Sequence, residues 1–272
     1  MKISISNIAW EPAEDQAVID VLSDYSITSI EIAPTKWWPH PLQIEPTAAN
    51  EMRKRWADRG NQLIAMQSLL FNQPSLTLFQ DSESRGNMGT YLKKIMDLAE
   101  KLGTSRLVFG SPKNRLVGNM SRSEAWDIAV SFFEEMGAYA QDKGLVFCIE
   151  PNPVVYGCDF ITNTQEGIEL VKAVNHPGFR LHLDTAAITL NHEQIPESIT
   201  AAFPYLTHFH ISEPYLQLIG KTPDTHHAAA LTLNSLGYDG FVSIEMKAGL
   251  TESNVSSVRQ ALTYVHNCYS TI

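Results

Sequence analysis

Eight short apolar segments recur along the chain and alternate with longer segments whose apolar residues follow a helical period. Each apolar segment is six or seven residues long and rich in β-branched or aromatic side chains, which is typical of a buried β-strand. The predicted strands are residues 2–8, 28–33, 62–68, 105–110, 145–150, 179–184, 206–212 and 241–246.

The predicted helices between these strands carry recognisable end signals. Four of them stop at a glycine just before the next strand, where the left-handed conformation of a helix C-terminus favours glycine. These glycines are Gly60, Gly103, Gly144 and Gly237. Ser121 and Asn163 are each followed three residues later by Glu, which is the spacing of a capping box at a helix N-terminus.

Alternating strands and helices in this number predict the α/β class and a single (β/α)8 TIM barrel domain over residues 1–272. A doubly wound open sheet is the competing fold. Such a sheet usually carries a glycine-rich turn after its first strand, and the segment from Ser6 to Trp10 contains no glycine. No linker or low-complexity segment divides the chain, so we expect one domain.

Charge and cysteine content narrow the classes of partner and compartment. A formal net charge of −10 argues against a nucleic-acid partner, because phosphate binding needs concentrated Lys and Arg. No apolar run reaches the roughly 18 residues that a membrane span needs. Three cysteines without a CxxC motif, and an N-terminus without a signal-peptide pattern, predict a reduced cytoplasmic protein. The number of subunits stays open, a homo-oligomer included.

The last four predicted strands each end near a side chain that can bind a metal ion. These side chains are Glu150, Asp184, His210 and Glu245. Burying a charged acid alone costs several kcal/mol, so a succession of them indicates a shared partner. Three carboxylates and one imidazole suit one divalent ion such as Mn²⁺, Mg²⁺, Co²⁺ or Zn²⁺. The alternative is that these groups form ion pairs at the barrel rim.

A polar layer is predicted directly beneath this set, because residues two apart on a strand face the same side. The layer consists of Cys148, His182, His208 and Ser243. Barrel interiors usually favour Val, Ile and Leu, whereas groups beneath a metal site hydrogen-bond its ligands and orient them. We therefore expect His182 and His208 to support the metal ligands. The alternative is that both are interior histidines satisfied by other partners.

At these residues the chain resembles the xylose isomerase-like superfamily of TIM barrels, which includes sugar phosphate isomerases and epimerases. The resemblance covers essentially the whole chain. Its motifs are Ile149-Glu150-Pro151-Asn152, Leu183-Asp184-Thr185, His208-Phe209-His210-Ile211-Ser212-Glu213-Pro214 and Ser243-Ile244-Glu245-Met246. The resemblance implies that Glu150, Asp184, His210 and Glu245 hold one divalent ion, commonly Mn²⁺. It also implies that Glu150 and Glu245 are the acid/base pair on opposite faces of the substrate carbon.

Proton transfer next to a carbonyl fits this residue set. Such a transfer needs a base within hydrogen-bond reach and stabilisation of the resulting enediolate, and a divalent ion chelating two substrate oxygens provides the latter. The sequence therefore predicts a metal-dependent isomerase or epimerase of a sugar or sugar derivative. A lyase of the inosose dehydratase kind would use the same groups to expel water. A non-catalytic sugar-binding or metabolite-binding barrel would have no use for two opposed bases.

The sequence departs from the ketose 3-epimerase pattern at three positions that bind substrate in those enzymes. Ala187 stands where they have a histidine, Tyr156 where they have a glutamate, and Leu216 where they have an arginine. The metal ligands and bases are retained, but the groups that grip a free ketose are not. This difference argues against a simple tagatose-type or psicose-type 3-epimerase.

Side chains near other strand ends could replace that grip. Trp10 and Trp38 carry indole rings suited to stacking on a sugar, although packing against the barrel rim would explain either one equally well. The candidates for binding substrate hydroxyls are Glu31, Gln67, Asn152 and Glu213.

A positively charged segment follows the fourth strand, where substrates bind in this fold. Lys113, Asn114 and Arg115 could together bind a carboxylated or phosphorylated sugar, and Arg115 is the first candidate. The alternative is that they are solvated surface residues. His226 and His227 follow the seventh strand, and the sequence does not assign them a role.

Overall fold

Eight parallel strands close into one barrel in the computed structural model, which describes residues 1–270. The strands follow chain order around the barrel, and the eighth pairs with the first. They are β1 (Lys2–Ser6), β2 (Ser29–Ile32), β3 (Gln62–Met66), β4 (Arg106–Phe109), β5 (Val146–Ile149), β6 (Phe179–Asp184), β7 (Leu206–Ser212) and β8 (Phe241–Glu245). Each lies within a predicted strand, and the predicted TIM barrel is confirmed. The predicted domain end at residue 272 lies outside the described residues.

Helices surround the barrel and connect successive strands. They are α1 (Asp15–Asp24), α2 (Ala48–Ala57), α3 (Ser82–Leu102), α4 (Arg122–Asp142), α5 (Thr164–Val174), α6 (Thr185–Leu190), α7 (Ile195–Ala202), α8 (Pro223–Ser235) and α9 (Asn254–Val265). Gly103 ends α3 at φ 79°, and the Ser121 and Asn163 side chains cap α4 and α5, as their positions in the sequence predict. Among residues 1–270, no helix combines the length and apolar character needed to cross a membrane.

The main apolar core lies between the outer face of the barrel and the helices. Phe133 of α4 stacks on Phe179 of β6 with ring centroids 4.8 Å apart. Phe109 of β4 packs edge-on against Phe133, with ring centroids 5.6 Å apart. All three rings are fully buried, and burial of each contributes about 1.5–3 kcal/mol. These contacts hold β4 and β6 in place and thereby position their C-terminal ends.

The barrel interior, in contrast, contains polar side chains. Glu31 of β2 reaches across the barrel to His208 of β7, and His182 of β6 lies beside His208 with ring centroids 5.3 Å apart. All three side chains are inaccessible to solvent. The predicted polar layer therefore exists, and it lies directly beneath the strand ends that carry the candidate metal ligands.

Candidate active site

The register of the strands brings the predicted metal ligands to one end of the barrel. Asp184 is paired with His210 across β6 and β7, and Glu245 is paired with Ser212 across β7 and β8. Glu150 follows β5, and its backbone amide donates to the carbonyl of the last residue of β4. The sequence alternation of these strands turns the four side chains into the same space.

The four side chains approach one another closely around His210. Its Nδ1 lies 3.8 Å from Asp184 Oδ2 and 3.5 Å from Glu245 Oε2. Glu150, Asp184 and His210 each offer a ligand atom within 4.8 Å of the other two. Although buried, His210 Nδ1 has no hydrogen-bond partner among residues 1–270. An unpaired imidazole nitrogen facing three carboxylates is a donor set that fits a divalent metal ion.

The electrostatics of the carboxylates lead to the same conclusion. Burial, reinforced by the negative charges of Asp184 and Glu245, raises the pKa of Glu150 to about 8. Burial and the charge of Glu245 raise the pKa of Asp184 to about 6. The raised pKa values show that these acids repel one another when all are ionised, and a bound cation would remove that repulsion.

Glu31 contacts the histidines and has no surface to offer a substrate. Its Oε2 lies 2.9 Å from His210 Nε2, and its Oε1 lies 3.3 Å from His208 Nε2. Burial alone would raise the pKa of Glu31, but the imidazoles of His210 and His208 together hold it well below its ordinary value. Glu31 is thus a charged acceptor beneath the site, and this position corrects the expectation that it binds substrate hydroxyls.

The two histidines of the interior layer differ in their contacts. His208 contacts Glu31, whereas neither ring nitrogen of His182 has a hydrogen-bond partner. His182 Nε2 lies 3.9 Å from Glu150 Oε1, and its ring centroid lies 4.1 Å from that of His210. Burial and the neighbouring imidazoles keep the pKa of His182 well below its ordinary value, so this ring is neutral.

Ser212 and Gly110 belong to the site but were missed by the sequence analysis. Ser212 Oγ donates to Asp184 Oδ2 at 2.6 Å, while the Ala187 amide donates to Asp184 Oδ1 at 2.8 Å. Gly110 lies directly under Glu150, and a Cβ at this position would collide with Glu150 Oε2. The signals were a serine two residues after His210, on the same strand face, and a glycine immediately after β4.

A cavity of about 450 Å³ opens over this set. It is lined by Glu150, Asn152, Tyr156, Asp184, Ala186, Ala187, Ser212, Tyr215, Leu216 and Glu245. Asn152 is the one predicted substrate-binding residue in this lining, and its Nδ2 donates to the Glu150 carbonyl at 3.2 Å. The lining contains no Lys or Arg, so the site is strongly acidic.

Two further substrate-binding candidates serve packing instead. Trp10 is 1% exposed, and its Nε1 donates to Asp15 Oδ1 at 2.9 Å. Gln67 is buried and donates to Ser6 Oγ at 2.7 Å. These contacts correct the expectation that Trp10 and Gln67 bind sugar. Trp38 is half-buried against Trp37, with ring centroids 5.8 Å apart, and its role toward sugar stays a prediction.

The structure contradicts an anion site built on the segment after β4. Arg115 is fully buried, and its guanidinium donates to the carbonyls of Gly110 at 2.6 Å and Glu150 at 2.7 Å. Asn114 donates to two carbonyls of the loop after β3, at 2.8 and 2.7 Å. Lys113 is exposed but does not line the cavity. These residues fasten the loops around Glu150, and none of the three faces the cavity.

Glu213 also has a role within the protein rather than toward substrate. It is 1% exposed, and its carboxylate accepts the backbone amides of Gly220, Lys221 and Thr222 at 3.0, 2.6 and 2.8 Å. The fully buried His226 places its Nε2 3.2 Å from Glu213 Oε1, whereas His227 is exposed. Glu213 therefore clamps the loop between β7 and α8, which corrects its predicted role.

Comparisons with known proteins identify related sugar epimerases. A D-psicose 3-epimerase from Ruminiclostridium cellulolyticum is 30% identical over 122 residues, which are 44% of this chain and 41% of the relative. An L-ribulose 3-epimerase from Methylomonas sp. strain DH-1 is 27% identical over 158 residues, which are 57% of this chain and 54% of the relative. The chain thus matches about half the length of these curated relatives.

The comparison with solved structures covers nearly the whole fold. A crystal structure of a D-psicose 3-epimerase in the presence of D-fructose superposes with a TM-score of 0.81 at 19% identity, covering 99% of both chains. At that identity the likeness concerns the fold alone. The model of one protein family matches residues 19–267, which is most of the sequence. The chain belongs to the xylose isomerase-like TIM barrel family.

Proposed function

We propose that this protein is a divalent-metal-dependent epimerase or isomerase of a sugar or sugar derivative. The observation that carries the proposal is the meeting of Glu150 and Glu245 in one cavity with Asp184 and the unpaired Nδ1 of His210. The 3-epimerase relatives support a reaction of this class. Isomerisation and epimerisation differ in where the proton returns, and both use the same groups.

Glu150, Asp184, His210 and Glu245 would hold the ion, with Mn²⁺ the first candidate. When bound, the cation would polarise the substrate carbonyl and stabilise the negative charge that develops on its oxygen. Other residues of the protein already orient two of these ligands. Ser212 and the Ala187 amide fix the Asp184 carboxylate, and Glu31 fixes the His210 ring.

Proton transfer is assigned to Glu150 and Glu245. Each is partly accessible, with 15% and 14% of the side chain exposed, whereas Asp184 and His210 are almost fully buried. The two glutamates thus combine contact with the site and access to a substrate carbon. One removes a proton from the carbon next to the carbonyl, and the other returns a proton to the opposite face in the epimerase reaction.

Exchange of substrate hydrogen with solvent tests this proposal. The protein is incubated with Mn²⁺ and a panel of keto sugars in D₂O. We expect a sugar to take up deuterium at the carbon next to its carbonyl without losing water. Glu150→Gln and Glu245→Gln should each slow incorporation at least about 100-fold, because positioned acid/base groups contribute 10²–10⁴-fold. The surface variant Glu197→Gln is the matched control.

The same experiment separates the alternatives. Loss of one water from the sugar would identify a lyase of the dehydratase kind. Binding of sugars without deuterium uptake in any of them would identify a non-catalytic barrel and contradict the proposal.

A further inference from the structure

Part of the cavity lining is apolar. Tyr156, Ala187, Tyr215 and Leu216, which we call the apolar wall, line the same cavity as the carboxylates. The wall contributes no charged side chain, and the residues that line the cavity include no Lys or Arg. The lining therefore offers no side chain that could neutralise a phosphate or carboxylate on the substrate.

The two tyrosines of the wall come from different loops and are locked together. Tyr156 follows β5 and Tyr215 follows β7. The Tyr215 backbone amide donates to Tyr156 Oη at 2.9 Å, and the rings meet edge to face with centroids 5.7 Å apart. The Tyr156 hydroxyl is the acceptor in this hydrogen bond, so the contact fixes the position of its ring in the cavity lining.

The backbone of the second loop is strained where it presents the wall. Tyr215 and Leu216 adopt left-handed conformations with φ of 62° and 57°, which cost non-glycine residues of the order of 1–2 kcal/mol each. The conformation is fixed from both sides, since the Leu216 amide donates to the Glu213 carbonyl and the Leu216 carbonyl accepts from the Lys247 amide, both at 3.0 Å. This backbone conformation places Tyr215 in the cavity lining, where the residue is 55% exposed.

We propose that the substrate is a neutral keto sugar derivative with an apolar substituent, such as the aryl group of a glycoside whose ring carries a keto group, and that this substituent packs against the apolar wall. The inference rests on the proposed function, because the sugar ring must reach Glu150 and Glu245. A cavity of about 450 Å³ lies in the usual range for ligands larger than one small ring. An aromatic group would meet Tyr156 and Tyr215 in the offset or edge-to-face geometries that such rings prefer.

Calorimetric titration of the Mn²⁺-loaded protein with matched glycosides tests the inference. The probes are the methyl and phenyl glycosides of the 3-keto derivatives of D-glucose and D-galactose in both anomers, with D-fructose as the unsubstituted sugar. We expect at least one phenyl glycoside to bind about 2- to 12-fold more tightly than its methyl counterpart, which is the range that an aromatic contact supplies.

Variants then locate the effect. Tyr215→Ala should abolish the preference for phenyl over methyl while leaving Mn²⁺ affinity unchanged. Tyr215→Phe should retain it, because Tyr215 anchors the loop through its backbone amide and not through its hydroxyl. Leu231→Ala removes an exposed apolar side chain from the outer helix α8 and is the matched control.

Three results would overturn the inference: equal binding of phenyl and methyl glycosides, a preference that survives Tyr215→Ala, or binding of D-fructose with no glycoside binding at all. Failure of the proposed function would give a different result in the deuterium-exchange experiment. It would appear as absence of metal-dependent deuterium incorporation into every sugar, whatever the binding preference.

Discussion

His210 uses its two ring nitrogens for different tasks. Because the pKa of Glu31 is low, its carboxylate is the acceptor at 2.9 Å, and His210 Nε2 must carry the hydrogen. Despite the burial of His210, the charges of Glu31 and Glu245 raise its pKa well above the ordinary value. A bound cation would therefore take the place of a proton on Nδ1, which faces Asp184 and Glu245. A carboxylate that orients a metal-binding histidine in this way also makes the ring a better ligand.

Glu31→Gln is expected to weaken divalent-metal binding by about 10–100-fold. The amide has one acceptor oxygen for two imidazole donors and lacks the negative charge, so His210 loses its fixed orientation. Titration calorimetry with Mn²⁺ measures the effect, and Glu197→Gln serves as the control. Unchanged affinity in Glu31→Gln would show that Glu31 does not position His210.

Gly110→Ala should displace the carboxylate of Glu150, because the added Cβ would occupy the space of Glu150 Oε2. We expect at least about a tenfold loss of deuterium incorporation with little loss of stability, because the atom that must move is the far end of a flexible side chain. Gly86→Ala on helix α3 is the control, since a Cβ there meets nothing within 4 Å. Chemical denaturation and the exchange assay report the two effects. Normal exchange in Gly110→Ala would contradict the assigned position of Glu150.

At the residue scale, strand alternation was enough to predict that Glu150, Asp184, His210 and Glu245 share one end of the barrel. It could not predict the role of Arg115. From the sequence, an arginine in a loop at this end of the barrel suggests a ligand for an anion. In the structure the guanidinium of Arg115 instead donates to backbone carbonyls, including that of the distant residue Phe160. Such contacts depend on how separate loops fold over one another and leave no local pattern.

At the scale of elements, the loop from β7 to α8 is held by one buried carboxylate. Burial would raise the pKa of Glu213, but hydrogen bonds from His226 and Thr222 outweigh it and lower that pKa. The charged form is therefore favoured in the folded protein. Its contribution to stability is complete above the ordinary value of 4.5 and is lost as pH falls through the lower folded value.

Glu213→Gln is therefore expected to cost about 2 kcal/mol of unfolding free energy at pH 7, with a smaller difference from the wild type below pH 4.5. The glutamine cannot titrate, so it lacks the pH-dependent part of the stabilisation. Urea denaturation at several pH values measures both proteins. A stability difference that stays constant from pH 7 to below pH 4.5 would contradict the clamp.

The strands and the helix ends were predictable because their signals are local: apolar β-branched runs, capping side chains and glycine at C-termini. The loops at the mouth of the barrel were not. The left-handed backbone at Tyr215 and Leu216 occurs without glycine and is stabilised by partners such as Lys247 on another element. Nothing in the sequence of the loop itself predicts this conformation.

At the scale of the whole molecule, the barrel concentrates buried negative charge at one end, and a cation should stabilise the fold. At 100 times its dissociation constant, Mn²⁺ should add about 2.7 kcal/mol and raise the melting temperature by about 5 °C or more. Asp184→Asn should abolish this rise. Because the folded pKa of Asp184 is raised to about 6, its charge is unfavourable at pH 7, and the metal-free variant should melt no lower than the metal-free wild type.

Differential scanning calorimetry with and without chelator checks both statements. An equal Mn²⁺ effect in the wild type and in Asp184→Asn would place the ion elsewhere.

The sequence was sufficient for the barrel, its family and the convergence of four candidate ligands, since these follow from periodicity and strand-end motifs. It was insufficient for the substrate. The sequence suggested that Trp10 and Glu31 contact sugar, but both are buried in the folded protein. Tyr156 and Tyr215 line the cavity because two loops come together, and these residues are 59 positions apart in the sequence.

The most direct test of the account is the position of a bound metal in a crystal of the Mn²⁺-loaded protein, located by anomalous diffraction. We expect a single strong peak in contact with Glu150, Asp184, His210 and Glu245, on the Nδ1 side of the imidazole. A peak among His182, His208 and His210 instead, or no peak at saturating Mn²⁺, would contradict it.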